Sequence, residues 1–188
     1  MTSETIISIF LGIGLAASAG FRVFLPLFVL SLAAHFNVLT LSEDWMWVGS
    51  IAALLTLGVA MLIEIFAYYI PFIDNLLDSI AVPLAAIAGT AVMVSTITDL
   101  SPVVTWAMAI IAGGGTATLV KGASAGTRLT SSATTAGLGN PIVSTVETVG
   151  SFALAILSIF IPIIAIVLVV IILLFIFWFY KKLKARSN

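Results

Sequence analysis

Seven charged side chains lie within or at the rim of long apolar stretches: Arg22, Glu64, Asp74, Asp78, Lys121, Arg128 and Glu147. A charge at a bilayer centre costs about 2.5–3.5 kcal/mol even on insertion scales, so each is a candidate functional group. Three are cations and four are carboxylates, a balance that permits internal ion pairs as well as a binding site. Arg22 is the deepest, near the middle of an apolar run over residues 5–36, with Ser18 one helical turn before it on the same face. A guanidinium is a planar fork suited to clasping a carboxylate or phosphate. Lys121 and Arg128, seven residues apart, share a face if their segment is helical. Asp74 and Asp78 also lie one turn apart. Asp74 reads as a helix N-cap, whereas capping leaves Asp78 unexplained. Their Asp-x-x-x-Asp spacing is the one used for magnesium and diphosphate in membrane prenyltransferases, but only one such motif is present. Asn75 and Asn140 stand at helix starts, where the positive dipole end faces a ligand. Glu147 follows Asn140 by two turns, and Glu64 sits near a span end, within reach of the interface. These residues divide into a candidate anion site (Arg22, Arg128, Lys121, Ser18, Asn75, Asn140) and a candidate ion-coupling or ion-pair set (Asp78, Glu147, Asp74, Glu64).

Composition narrows the chemistry. The 188 residues are 62% hydrophobic and 8% charged, far from the balance of a soluble domain. Fifteen charged residues cannot cover a soluble fold of this size without large apolar patches. A cytosolic enzyme and a disordered chain are excluded. Net charge is −1, so no basic field exists for nucleic acid. Without Cys there is no disulfide, thiolate metal site or Cys nucleophile. The single histidine, His35, excludes a multi-histidine metal site and reads as an interface residue. No cofactor or metal is expected.

Hydropathy then assigns the elements that must position these groups. The expected class is all-α: a polytopic membrane bundle of about five spans, with broken or re-entrant segments. Apolar runs cover residues 5–36, 45–69, 75–98, 103–120 and 141–180, the last interrupted by Glu147 and Pro162. Trp45 and Trp47 read as interface anchors, with Tyr68 and Tyr69 as a second aromatic edge. Ser101-Pro102 and Asn140-Pro141 are cap-plus-proline helix starts. Ala17-Ser18-Ala19 has the look of a signal-peptidase site, but no basic region precedes it, so it is read as uncleaved. A single transmembrane domain over residues 1–188 ends in a basic tail, 181–188. The cluster Lys181, Lys182, Lys184 and Arg186 orients the C-terminus to the cytoplasm of a bacterial inner membrane. Five crossings then put the N-terminus outside, the 37–44 loop inside and the 121–140 segment at the outer side or within the bundle.

Residues 113–140 are mostly Gly, Ala, Ser and Thr, and the run Gly113-Gly114-Gly115 should interrupt a helix. This segment is expected either as an exposed loop or as irregular backbone packed inside the fold. Ala17-Ser18-Ala19-Gly20-Phe21-Arg22 matches Ala123-Ser124-Ala125-Gly126-Thr127-Arg128 at five of six positions. With three spans between them the two copies should run antiparallel, the pattern of an inverted repeat with halves 1–99 and 100–180.

The residues Ser18 through Pro26, Pro71-x-x-Asp74-Asn75-x-x-Asp78, Gly113-Gly114-Gly115 and Gly137-Leu138-Gly139-Asn140-Pro141 resemble a bacterial membrane-protein family, domain of unknown function 4126. The resemblance runs from Leu11 to about Phe160. It implies a bacterial inner-membrane protein and supplies no reaction or substrate. The leading expectation is a small transporter or translocase with an arginine-lined polar site for an anionic solute or a phosphate-bearing lipid. The alternatives are an oligomeric ion channel or pore, an accessory or structural subunit, and a magnesium-dependent prenyl-type enzyme. The expected partners are the bilayer, that anion, and further copies of the chain.

Overall fold

The computed structural model describes residues 2–70 and 73–187, without the side chains of Asn75 and residues 183–187. The helices are α1 (Ser3–Phe21), α2 (Phe24–His35), α3 (Ile51–Ala67), α4 (Ile73–Thr96), α5 (Pro102–Met108), α6 (Gly115–Thr135), α7 (Asn140–Phe160) and α8 (Pro162–Ser187). A 3-10 segment, Glu43–Gly49, precedes α3 at a bend of 65°, and a π-helical segment, Ala109–Gly114, joins α5 to α6. No strand occurs among the described residues. Five helices are long and apolar enough to cross a membrane, or six if the bent pair counts as one span. The protein is therefore an all-α, multi-pass membrane bundle.

The first apolar run is not one span. It breaks at Arg22, whose extended backbone (φ −136°, ψ 124°) ends α1. α1 packs antiparallel to α7: Gly14 faces Ser158, Ser18 bonds Ser151, and Arg22 reaches Ser144 and Thr148. It is also antiparallel to α4, since Gly12 faces Met93 and Thr96. Ser42, beyond α2, donates its backbone N–H to Ser95 at the far end of α4. The chain must therefore return along α1 after Arg22, and α2, about 18 Å long, is the return limb. Glu64 of α3 holds the bend, accepting from the backbone N–H groups of Val23 at 2.8 Å and Phe24 at 2.9 Å. Those donors are the positive end of α2, and buried donors without acceptors are costly. Glu64 is thus a buried cap and not an interface residue. The 37–42 loop ends at the same end of the bundle as the start of α1, not at the opposite one.

The last apolar run is two helices. Ile161 (φ −141°, ψ 67°) separates α7 from α8, and Leu154 and Val169 share one cluster with Ala17. Such closeness requires α8 to fold back on α7. The small-residue segment also differs from expectation. Gly113 and Gly114 take part in a π turn, and residues 115–135 continue as one helix to a turn at Ala136 and Gly137, both with positive φ. The π turn seats Gly113 against Gly89 of α4, where a Cβ on Gly89 would lie 2.7 Å from the Gly113 carbonyl oxygen.

α1 and α6 run in the same direction. Ile9 shares a cluster with Ala109, Gly20 faces Ala117 and Val120, and Arg22 and Arg128 meet at one carboxylate. The two Ala-Ser-Ala-Gly-x-Arg segments are therefore not antiparallel, and no in-plane axis of an inverted repeat relates them. Their backbones differ as well, because α1 stops at Phe21 whereas α6 passes through Arg128 without interruption.

Candidate functional site: a buried ionic cluster around Tyr68

Five elements converge where α1 ends. Arg22 leaves the α1–α2 bend, Tyr68 closes α3, Asp78 lies in the second turn of α4, Lys121 and Arg128 project from α6, and Glu147 comes from α7. Arg22, Lys121 and Arg128 are at most 1% exposed, and Tyr68 is 3% exposed. All three cations sit against the Tyr68 ring. The Arg22 and Arg128 Cζ atoms lie 4.2 and 4.4 Å from its centroid, and Lys121 Nζ lies 5.0 Å away. A desolvated cation on an aromatic face gains about 2 kcal/mol, which helps to hold like charges that would otherwise repel.

Two carboxylates close the cluster. Glu147 Oε2 is shared by Arg128 Nη2, directly bonded, and Arg22 Nη2 at 3.5 Å, while Ser124 donates to Oε1. Asp78 Oδ2 lies 3.4 Å from Arg128 Nε, and Oδ1 lies 3.8 Å from Lys121 Nζ. Lys121 donates to the Tyr68 hydroxyl at 3.2 Å, and that hydroxyl donates to Asp78 at 3.1 Å. Arg22 also donates to Thr148 Oγ1 at 3.1 Å and to the Ser144 carbonyl at 2.9 Å. Among the described residues, Arg22 Nη1, Arg128 Nη1 and Arg128 Nε are buried without a hydrogen-bond partner, Nε having only its 3.4 Å ion-pair contact with Asp78. Such donors are costly to leave unmet in a dry interior.

The remaining candidates divide between support and rim. Ser18 makes a paired hydrogen bond with Ser151 that locks α1 to α7, one turn above the cluster. Asp74 lies inside the first turn of α4, which starts at Ile73, and accepts from Asn140 Nδ2 at 2.8 Å. It ties the start of α4 to the start of α7. Asp78, one turn on, faces Lys121, Arg128 and the Tyr68 hydroxyl. The Asn75 side chain lies outside the described residues. His35 meets the Gly49 carbonyl at 2.9 Å, at the far end of the bundle. A 360 Å³ apolar hollow is lined by Val59, Leu62, Ile63, Phe66, Ala67 and Ile70, along α3 and the turn after it.

Sequence reasoning missed Tyr68 as the centre of the site, reading it as an interface aromatic. It also missed Ser144, Thr148 and Ser151. For these a signal exists, because Asn140, Ser144, Glu147, Ser151 and Ser158 recur at helical spacing and form the buried face of α7. A polar stripe in an otherwise apolar membrane helix faces protein rather than lipid.

No curated protein and no solved structure matches the chain. Residues 9–182 match the family described as Domain of unknown function (DUF4126), a stretch that holds every member of the cluster. That match covers nearly the whole sequence, and the chain belongs to this family.

Proposed function

We propose that this protein is a small transporter or translocase of the bacterial inner membrane that binds an anionic solute or a phosphate-bearing lipid between Arg22 and Arg128. One observation carries the reading: two guanidinium groups from different helices meet at one ring and one carboxylate, and each keeps a buried N–H group without an acceptor. An incoming anion finds those donors already aimed and desolvated. Glu147 and Asp78 keep the three cations together while the site is empty. The α1–α2 bend brings a half-helix terminus to the same place, a feature of broken-helix transport sites.

Charge placement supports an orientation for this reading. The basic cluster lies in the last turns of α8, which ends where α6 ends and α4 begins, whereas Glu4, Glu43, Asp44 and Asp99 lie towards the other end. The positive-inside rule makes the tail end cytoplasmic. Lys121 and Arg128 then belong to the cytoplasmic half of the bundle, not to an outer loop. If α1 and α2 enter and return, five crossings remain in α3, α4, α5–α6, α7 and α8, and the N-terminus lies outside.

A second reading, an accessory or structural subunit, has its own support, because each cation already faces a carboxylate. Reconstitution separates the two. Proteoliposomes should take up labelled acetate or phosphate, or flip a labelled anionic lipid, and Arg22→Lys should lower that rate at an unchanged melting temperature. Loss of thermal stability without any wild-type flux would support the structural subunit instead.

A further inference from the structure

The ionic cluster lies between two hydrogen-bonded layers, each one helical turn away. Asp74 stands four residues before Asp78 on α4, Asn140 four before Ser144 on α7, and Ser132 four after Arg128 on α6. Because α6 runs against α4 and α7, all three are displaced the same way, by about 6 Å, towards the end where α4 and α7 begin. There Asn140 Nδ2 donates to Asp74 Oδ2 at 2.8 Å and to Ser132 Oγ at 3.0 Å. Asp74 and Asn140 are 3% and 4% exposed, so this layer is shut. On the other side, Ser18 stands four residues before Arg22 on α1, and Ser151 four after Glu147 on α7. Each hydroxyl donates to the other residue's backbone carbonyl, at 2.7 and 3.0 Å. Next to this pair, a Cβ on Gly20 would lie 2.7 Å from the Ala117 carbonyl oxygen, so α1 and α6 leave no space between them. The two layers differ in what opening them requires. Ser18 and Ser151 sit well inside their helices and are joined through main chain, so parting them moves whole helices. Asp74 and Asn140 sit in first turns and are joined by side chains alone. Helix ends open locally at much lower cost than helix centres.

Resting on the reading of this cluster as an anion site, we propose that Asp74 and Asn140 are its gate: the anion enters and leaves through the Asp74–Asn140–Ser132 layer, while the Ser18–Ser151 layer stays shut. Opening needs the Asn140 amide to leave Asp74, a change confined to the first turns of α4 and α7. The freed amide is itself a donor for an incoming anion. Arg128 and Ser144 are the next polar groups inward, one turn further on.

Two reporter cysteines in the Cys-free chain test this: Ser144→Cys at the level of the cluster, and Ser158→Cys beyond the Ser18–Ser151 layer. Both serines are fully buried. The rate of reaction with an anionic methanethiosulfonate is read on the detergent-purified full chain. Asn140→Ala should speed the reaction at Ser144→Cys by about tenfold or more, the effect of losing a hydrogen bond to a carboxylate, and leave Ser158→Cys unchanged. Asp74→Ala makes the same test if Asn140→Ala does not fold. Ser18→Ala should leave the rate at Ser144→Cys unchanged. Equal acceleration at both reporters is general loosening and overturns the proposal. So does no acceleration at Ser144→Cys, or acceleration by Ser18→Ala that matches Asn140→Ala. In proteoliposomes, a short bis-methanethiosulfonate that bridges Asp74→Cys to Asn140→Cys should stop uptake of labelled phosphate, and reduction should restore it. Uptake that continues through the bridged protein would overturn the gate and leave the transport reading intact. Gated reactivity at Ser144→Cys without any wild-type flux would uphold the gate and overturn the transport reading.

Discussion

Arg22 and Arg128 differ from ordinary buried ion pairs in that they share one carboxylate and one ring. Removing one partner of a buried pair costs about 3–5 kcal/mol, because the other charge is stranded. Arg128→Ala should therefore lower the melting temperature of the purified protein sharply, while Arg128→Lys keeps the charge and should lower it far less. Equal melting temperatures for Arg128→Ala and wild type would show that the Glu147 contact carries no stability. Tyr68 allows a finer division. Tyr68→Phe keeps the ring but removes the link between Lys121 and Asp78, a loss of about 1 kcal/mol. Tyr68→Leu removes the ring from three cations and should cost at least about 2 kcal/mol more. Chemical unfolding of both variants measures the difference, and identical losses would mean that the ring contributes nothing.

At the level of helices, the site depends on how closely α4, α6 and α1 approach. A Cβ added at Gly89 would stand 2.6 Å from Ala117 Cβ and 2.7 Å from the Gly113 carbonyl oxygen, with backbone on one side that cannot yield cheaply. Gly89→Ala should cost about 1–3 kcal/mol through overpacking. On α6, Gly122 and Gly126 have nothing within 4 Å of such an atom. Alanine there removes backbone freedom from the unfolded chain and should stabilise the helix by about 0.5–1 kcal/mol each. Melting temperatures of Gly89→Ala and Gly122→Ala should move in opposite directions, and a shared direction would contradict the described packing. The bend between α1 and α2 belongs to the same scale. Arg22 is placed by the end of one helix, and Glu64 caps the start of the next, so the cluster and the turn stabilise each other.

For the whole molecule, the crossing pattern is the quantity to measure, and the lack of Cys makes single-cysteine labelling clean. Thr40→Cys and Asp99→Cys lie towards the end where α1 begins, and Leu138→Cys lies at the opposite end. In intact spheroplasts an impermeant maleimide should label the first two, and should label Leu138→Cys only after permeabilisation. Labelling of Thr40→Cys only after permeabilisation would mean that residues 3–35 cross the bilayer as a single span after all. The bend at Arg22 predicts the contrary.

Composition alone determined that this is a multi-pass helical membrane protein, because 8% charged residues cannot solvate a surface of this size. Burial cost likewise made Arg22, Lys121, Arg128, Asp78 and Glu147 legible, since ionisable groups in hydrocarbon must find partners. The helix starts at Pro102 and Asn140 followed from local capping chemistry. Chain direction was not local. Hydropathy is the same for a run of 30 residues that crosses and for one that bends and returns, so residues 5–36 read as one span and residues 141–180 as another. The first folds back on itself and the second divides at Ile161. The central place of Tyr68 was equally invisible, because an aromatic at a span end has the same sequence signature whether it faces headgroups or protein. Only tertiary packing decides, by bringing the ends of α1 and α3, the middle of α6 and the first turns of α4 and α7 to one level, where their charges must meet one another because nothing else there can solvate them.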